Sequence, residues 1–144
     1  MKLVLAFLLV LQTILVTAQE TKVTSAEIAQ GFGLTEEVPI FPGCEKTEKK
    51  DSFRCFQSKI YEHIKVNFRY PEKALNQYIQ GRVLVTYVIN IDGKIIDISA
   101  TGGELILQKE AIRIISLLPK MTPGTQKGVP VKVRYSVPIT FKLR

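Results

Sequence analysis

The sequence predicts a small α+β domain in which helices pack on one face of a three-stranded antiparallel sheet. Residues 129–144 alternate between apolar and polar or proline side chains, which is the period of a half-buried strand. Residues 81–100 hold two more such runs joined by Asp92-Gly93, which predicts a hairpin. Segments that begin near residues 51 and 104 have apolar residues at helical spacing, and we expect these helices to cover the sheet.

The first helix is predicted to begin near Asp51 or Ser52, either of which could cap it. Its buried face is expected to consist of Phe53, Phe56, Ile60 and Ile64, with His63 at the boundary of that face. A proline then breaks the chain, and Pro71 suits the first position of a short helix that continues through residues 72–76.

The hairpin and the last helix follow in order. The first arm of the hairpin is predicted to bury Val83, Val85, Tyr87, Ile89 and Ile91, and residues 94–100 form the second arm. The helix over residues 104–118 would turn Leu107, Ala111, Ile114, Ile115 and Leu118 to the core, leave Lys109, Arg113 and Ser116 in water, and stop at Pro119. Residues 122–128 are expected to form a loop into the last strand.

The last strand is predicted to lie at an edge of the sheet. Pro130 and Pro138 share the same parity, so both missing N–H groups fall on one side of the strand. A central strand would lose two ladder bonds there, whereas an edge strand loses none. The outer rim would keep free donors at Lys132, Arg134 and Ser136. Such a rim is either blunted by its proline and lysine residues or available to a partner strand, and the strand alone favours neither. The side chains expected to be buried are Val129, Val131, Val133, Tyr135, Val137, Ile139, Phe141 and Leu143.

The N-terminal residues predict export. Lys2 precedes an apolar run from residue 3 to 16 and small residues before Gln19, which is the pattern of a cleaved signal peptide over residues 1–18. About fourteen apolar residues would span only ~21 Å as a helix, so a membrane anchor is the less favoured reading. Residues 19–50 are then a leader with a proline-punctuated segment and Cys44, and residues 51–144 are the domain.

The composition, with 46% hydrophobic and 23% charged residues, fits one globular domain with extensions. The net charge of +7 is compatible with nucleic acid, an anionic membrane or an acidic protein. The basic residues do not form a stripe interleaved with aromatic residues, and export argues against nucleic acid as a partner.

The two cysteines, Cys44 and Cys55, are predicted to form a disulfide, because isolated pairs are usually oxidised in exported proteins. A redox motif would need a closer spacing. A metal site formed with His63 would lack a fourth evident ligand.

No catalytic or metal site and no cofactor are predicted. One histidine and no nucleophile motif give no basis for a catalytic triad. Gly102-Gly103 precedes a helix but lacks the other glycines and the lysine of a phosphate-binding loop. The acidic residues are scattered, so paired-carboxylate catalysis has no support.

Several phrases, in order, resemble the C-terminal domain of TonB energy-transducing proteins, over roughly residues 60–144. They are Tyr70-Pro71-Glu72-Lys73-Ala74, Ile79-Gln80-Gly81-Arg82-Val83, Val88-Ile89-Asn90-Ile91-Asp92-Gly93, Glu110-Ala111, Leu118-Pro119-Lys120-Met121-Thr122-Pro123-Gly124, Val131-Lys132-Val133 and Val137-Pro138-Ile139-Thr140-Phe141. Phe41-Pro42-Gly43-Cys44 with Cys55-Phe56 is similar to an extension found in such proteins from Bacteroidetes-type bacteria.

The resemblance implies a periplasmic domain of Gram-negative bacteria that acts in TonB-dependent transport. Such domains bind the TonB box, an extended segment of an outer-membrane receptor, as an added strand beside their C-terminal strand. By position, the implied partner-binding residues are Lys132, Val133, Arg134, Tyr135, Ser136 and Val137, with Tyr70, Pro71 and Gln80 nearby.

The N-terminal part departs from the family pattern. Full transducers carry an uncleaved helix with a serine and a histidine that engages inner-membrane motor proteins, followed by a long proline-rich spacer. Here the apolar segment has no histidine, and only Pro39 and Pro42 precede the domain. We therefore expect motor partners only if the segment stays uncleaved. A second hypothesis is a structural or adaptor protein of the cell envelope that pairs with itself as a homodimer, without energy transduction.

Overall fold

The computed structural model describes residues 36–144, so the predicted signal peptide and most of the leader lie outside the described residues. A 3₁₀ turn at Lys49–Asp51 leads into the first helix. The helices are α1 Ser52–Asn67, α2 Glu72–Asn76 and α3 Leu105–Ser116. The strands are β1 Gly81–Ile89, β2 Ile95–Thr101, β3 Thr125–Gln126, β4 Val129–Pro130 and β5 Val133–Phe141. The predicted order of elements is confirmed, with β3 and β4 in addition.

The main sheet has three antiparallel strands in the order β2-β1-β5. β1 pairs with β5 without interruption, from Gly81 opposite Phe141 to Ile89 opposite Val133. β3 and β4 form a separate two-stranded sheet just before β5. The predicted three-stranded sheet is therefore confirmed, and β5 lies at one of its edges.

One hydrophobic cluster joins the helices to a single face of the sheet. The face consists of alternate residues of β1 and β5, as expected from the period of two. The residues of α3 that were predicted to face the core are all buried, and so is Leu118, although α3 ends before it. Two burial predictions for the first helix and the hairpin were wrong: Phe53 is 40% exposed, and Ile91 is 54% exposed in the turn after β1.

Two helix starts differ from the predictions. α1 is preceded by Asp51, but neither Asp51 nor Ser52 caps the helix N-terminus with its side chain; the Ser52 hydroxyl donates to the Glu48 carbonyl at 3.2 Å. Pro71 precedes α2 instead of occupying its first turn.

The last strand is shorter than predicted. The alternation from Val129 to Leu143 is interrupted at Val131 and Lys132, where the chain leaves β4 and enters β5. Val131 donates its N–H to the Gly124 carbonyl at 2.9 Å, so this residue belongs to the turn. Val129 is 62% exposed, which contradicts its predicted burial. The alternation of apolar and polar residues thus continues from β4 into β5, although the two strands pair with different partners. The alternation alone cannot reveal such a change of partner.

Polar contacts join α1 to α3. The Arg113 guanidinium donates to the Glu110 carboxylate at 2.7 and 2.8 Å and to the Asn67 carbonyl at 2.6 Å. His63 Nε2 lies 2.8 Å from the Ile114 carbonyl oxygen, which is the structural boundary role predicted for it. Arg113 therefore holds the end of α1, and does not simply point into water as predicted.

Part of the predicted leader packs against the domain, and we call residues 36–44 the strap. Ile40 and Thr122 exchange two backbone hydrogen bonds of 3.0 Å, and Glu37 and Thr125 are paired in the same way, at 3.0 and 3.2 Å. The strap ends at Cys44, which is 4% exposed and forms the predicted disulfide with Cys55 of α1.

Candidate functional site

The candidate site is the outer edge of β5, on the side away from β1. Pro138 stands opposite Leu84 and has no N–H, so this pair is one of the non-hydrogen-bonded pairs of the ladder. Arg134 and Ser136 lie four and two positions before Pro138, so their backbone N–H and carbonyl groups also point to the outer side. Within residues 36–144 no strand pairs with that side. The last strand was predicted to lie at an edge from two prolines, and only Pro138 supports this, because Pro130 lies in β4, opposite Thr125.

The other edge of the same sheet is irregular. β2 pairs with β1 through a register shift between Thr86 and Val88, which places an extra residue in β2. Asp97, at that point, has a φ of 52°. A bulge of this kind twists an edge and interrupts the row of backbone groups that a partner strand needs. The consecutive residues Ile95 and Ile96 break the apolar alternation there, and this signal could have predicted the bulge.

The helix side of the edge is formed by α1, which lies over β5. The ring of Phe56 meets the ring of Tyr135 edge-on, with the ring centroids 5.3 Å apart. Phe68, just after α1, packs on Phe141 with the ring centroids 5.1 Å apart. Helix and strand therefore run side by side in the same direction.

Tyr135 is the half-buried residue in the middle of this helix side. Burial raises the pKa of its hydroxyl, nearby Tyr61 raises that pKa further, and the hydrogen bond with Gln57 lowers it. Gln57 and Tyr61 lie one helical turn apart on α1, and Tyr61 is 48% exposed. Neither residue was predicted from the sequence to lie near the edge, although both continue the i, i+4 spacing from Phe53.

The solvent side of the edge is polar and cationic. Arg134 is exposed and stands opposite Val88, which is only 5% exposed. Ser136 lies beside Thr86, and their hydroxyl groups are 2.8 Å apart. The two sides of the edge thus differ in character: aromatic under α1, and hydrophilic on the open face.

Five of the predicted partner-binding residues, Val133, Arg134, Tyr135, Ser136 and Val137, lie in the first half of β5. Lys132 lies just before the strand. Arg134 and Ser136 present backbone groups outward, while the other three present them to β1. The structure therefore gives these residues two different positions relative to a partner.

Tyr70, Pro71 and Gln80 lie at the opposite end of β5. The Tyr70 hydroxyl donates to the Ile79 carbonyl at 2.5 Å, and its ring packs edge-on against Phe141 at 5.9 Å. The Gln80 side-chain oxygen accepts the Leu143 N–H at 2.7 Å. Tyr70 and Gln80 thus fix the end of β5 from the β1 side, away from Arg134.

The described part of the chain holds little else that suggests a site. Within residues 36–144, no cluster of three or more histidine, cysteine or acidic residues could hold a metal ion. The helices of this part are also too short or too polar to cross a membrane.

Within residues 36–144, fold and site together define a small α+β domain with one regular, open edge strand, which is the architecture of a domain that can accept an added strand. A family model described as the Gram-negative bacterial TonB protein C-terminal matches residues 66–143, slightly more than half of the chain. The chain belongs to this family.

Known relatives agree with this assignment. Two curated proteins from strains of Helicobacter pylori, each named Protein TonB, are 32% identical to the chain over 91 residues. These matches include 62% of this chain but only 30% and 31% of the relatives, so the chain spans under a third of their length. An NMR solution structure of Helicobacter pylori TonB-CTD is 28% identical, with a TM-score of 0.52 over 69% of this chain and 87% of that one.

Proposed function

We propose that this protein binds the TonB box of outer-membrane receptors as an added strand at the β5 edge, and that it acts in TonB-dependent transport in the periplasm. The observation that carries the proposal is the regular edge: β5 has nine uninterrupted pairs with β1, and within residues 36–144 no strand pairs with its other side. The bulged edge at β2 is a poor alternative. Family membership supports this choice.

Main-chain hydrogen bonds would supply most of the affinity, and such bonds tolerate different receptor sequences. In an antiparallel arrangement, Arg134 and Ser136 would each exchange N–H and C=O bonds with the peptide. Pro138 then removes a donor from the next outward position. The productive part of the edge is therefore the first half of β5, ahead of Pro138.

A titration of the purified protein with synthetic TonB-box peptides tests this proposal. The variant Arg134→Pro removes an outward N–H and leaves the bonds to β1, so we expect at least roughly tenfold weaker binding with little loss of stability. The control Arg134→Gln keeps the N–H and removes only the charge. Undiminished binding by Arg134→Pro, or no saturable binding by the unmodified protein, would refute strand addition at this edge.

The same edge supports a second candidate function, a structural or adaptor role as a homodimer. An edge strand can pair with its own copy through a twofold axis. Analytical ultracentrifugation separates the two: a dimer that Arg134→Pro converts to a monomer, without any peptide binding, favours this role. Receptor-peptide binding by a monomer favours the first.

Export to the periplasm is part of the proposal and rests on the pattern of residues 1–18. The N-terminal residue of the protein recovered from cells decides it. A chain that begins near Gln19 is a periplasmic module, whereas a chain that keeps the apolar segment is anchored in the inner membrane and could meet motor proteins there.

A further inference from the structure

The net charge of the protein is concentrated around β5. The chain has 20 basic and 13 acidic residues, and the last 34 residues contain seven of the basic ones and none of the acidic ones. The whole excess of +7 therefore comes from residues 111–144. Arg113 is paired with Glu110, and Lys120 lies near Asp92. The other five, Lys127, Lys132, Arg134, Lys142 and Arg144, are exposed just before, within and just after β5.

None of these five residues forms an ion pair with an acidic residue of the described part of the chain. The ion pairs of the described residues 36–144 all lie elsewhere, and none includes a residue after Arg113. Unpaired positive charges along a strand edge attract an acidic partner, and Arg134 is the one that lies within the strand itself. Charge complementarity therefore favours a negatively charged partner at this edge.

The geometry of strand addition determines which partner side chains meet this charge. Cross-strand neighbours in an antiparallel pair point to the same face of the sheet, with Cβ atoms about 4.5–5.5 Å apart. A partner residue opposite Arg134 therefore points to the solvent side, next to the guanidinium. The next partner residue lies opposite Tyr135 and points to the helix side, toward Tyr61.

We infer that the peptide segment bound at the β5 edge alternates acidic side chains, which face Arg134 and the solvent side, with apolar side chains, which face Tyr135 and Tyr61. This inference rests on the proposed strand addition and names the chemistry of its ligand. The backbone of β5 supplies affinity for any extended peptide, and the two unlike sides of the edge select this pattern.

Four fluorescein-labelled ten-residue peptides test the inference by fluorescence anisotropy with the purified protein. They alternate Asp with Val, Lys with Val, Ser with Val, and Asp with Ser. A fifth peptide has the composition of the first, with its Asp and Val residues in two blocks. Since each exposed pair contributes about two- to fivefold, we expect the Asp/Val alternation to bind roughly tenfold more tightly than Lys/Val and more tightly than the block peptide. Its advantage over Lys/Val should shrink with added salt.

Two variants assign the selectivity to the two sides of the edge. Arg134→Glu should weaken Asp/Val binding about fivefold or more and strengthen Lys/Val binding. Its matched control is Lys109→Glu, which makes the same change in net charge on α3, the helix that packs on β1 and β2. Tyr61→Ser, at an exposed position, should weaken Asp/Val about threefold and leave Asp/Ser nearly unchanged.

Each contrary outcome has a distinct meaning. If all alternating peptides bind equally and Arg134→Pro abolishes their binding, strand addition stands and the acidic-apolar preference is wrong. If Arg134→Glu and Lys109→Glu act alike, the attraction is a property of net charge, and the assignment to Arg134 is overturned. If vesicles of phosphatidylglycerol bind the protein and Asp/Val does not, the charge serves a membrane surface. If neither these peptides nor the TonB-box peptides bind, both the proposed function and this inference fall.

Discussion

Opening the disulfide should cost this domain a large part of its stability. Cys44 and Cys55 are 11 residues apart in sequence, and closing a loop of this length restricts the unfolded chain by about 3 kcal/mol in the chain-entropy model. The double variant Cys44→Ser/Cys55→Ser also places a hydroxyl at the buried position 44, so 3 kcal/mol is close to a lower estimate. For a domain of about 100 residues, this corresponds to a fall in Tm of roughly 10–20 °C.

Urea unfolding followed by circular dichroism measures this loss in the oxidised protein, the reduced protein and the double variant. Reductant should have no effect on the double variant, which controls for unrelated effects. Hydrogen exchange at the Ile40 and Thr122 amides should accelerate on reduction, because their mutual bonds hold the strap. A double variant within about 1 kcal/mol of the oxidised protein would refute the reasoning, as would two reactive thiols in the protein recovered from cells.

Two further predictions concern the core and one turn. Gly93→Ala should destabilise the protein by at least about 2 kcal/mol more than Gly128→Ala: both positions have positive φ, 81° and 76°, but a Cβ at Gly93 would lie 1.7 Å from the Met121 carbonyl oxygen, whereas Gly128 has open space. Urea unfolding of the pair checks this, and equal losses would contradict it. Tyr87→Phe should stabilise the protein by about 1 kcal/mol near pH 7, because the buried Tyr87 hydroxyl has no hydrogen-bond partner among residues 36–144; a loss of 1 kcal/mol would contradict this. Burial raises the pKa of Tyr87, so the unfolded state loses the hydroxyl proton at a lower pH than the folded state does. The stability of the unmodified protein should therefore fall above about pH 10, and the stability of Tyr87→Phe should fall less steeply.

Much of the fold was predictable because the alternation of side chains reports burial directly. Val83, Val85, Tyr87 and Ile89 occupy one parity of β1 and are all buried. The shared parity of Pro130 and Pro138 predicted an edge strand before any pairing was known, although of the two only Pro138 lies in β5. The helical spacing of α3 likewise predicted its buried residues.

Other features were not predictable because they depend on which segment is adjacent in space. Phe53 has the right spacing for the α1 core face, yet it lies in the first turn of α1, beside Val38 and Ile40 of the strap, and remains 40% exposed. The pairing of the strap with residues 122–125 was not predicted, because it leaves no local periodicity in either segment.

The sequence by itself determined the main helices and strands, most of their buried faces, the cysteine pair and the edge position of β5, because each follows from the residue type and its spacing along the chain. Only the tertiary structure decided that the alternating tail changes partner at residues 131–132, that a bulge blunts the β2 edge, and that α1 gives the β5 edge an aromatic side. These features depend on backbone pairing and on distances between residues far apart in sequence, and one-dimensional periodicity carries no information about either.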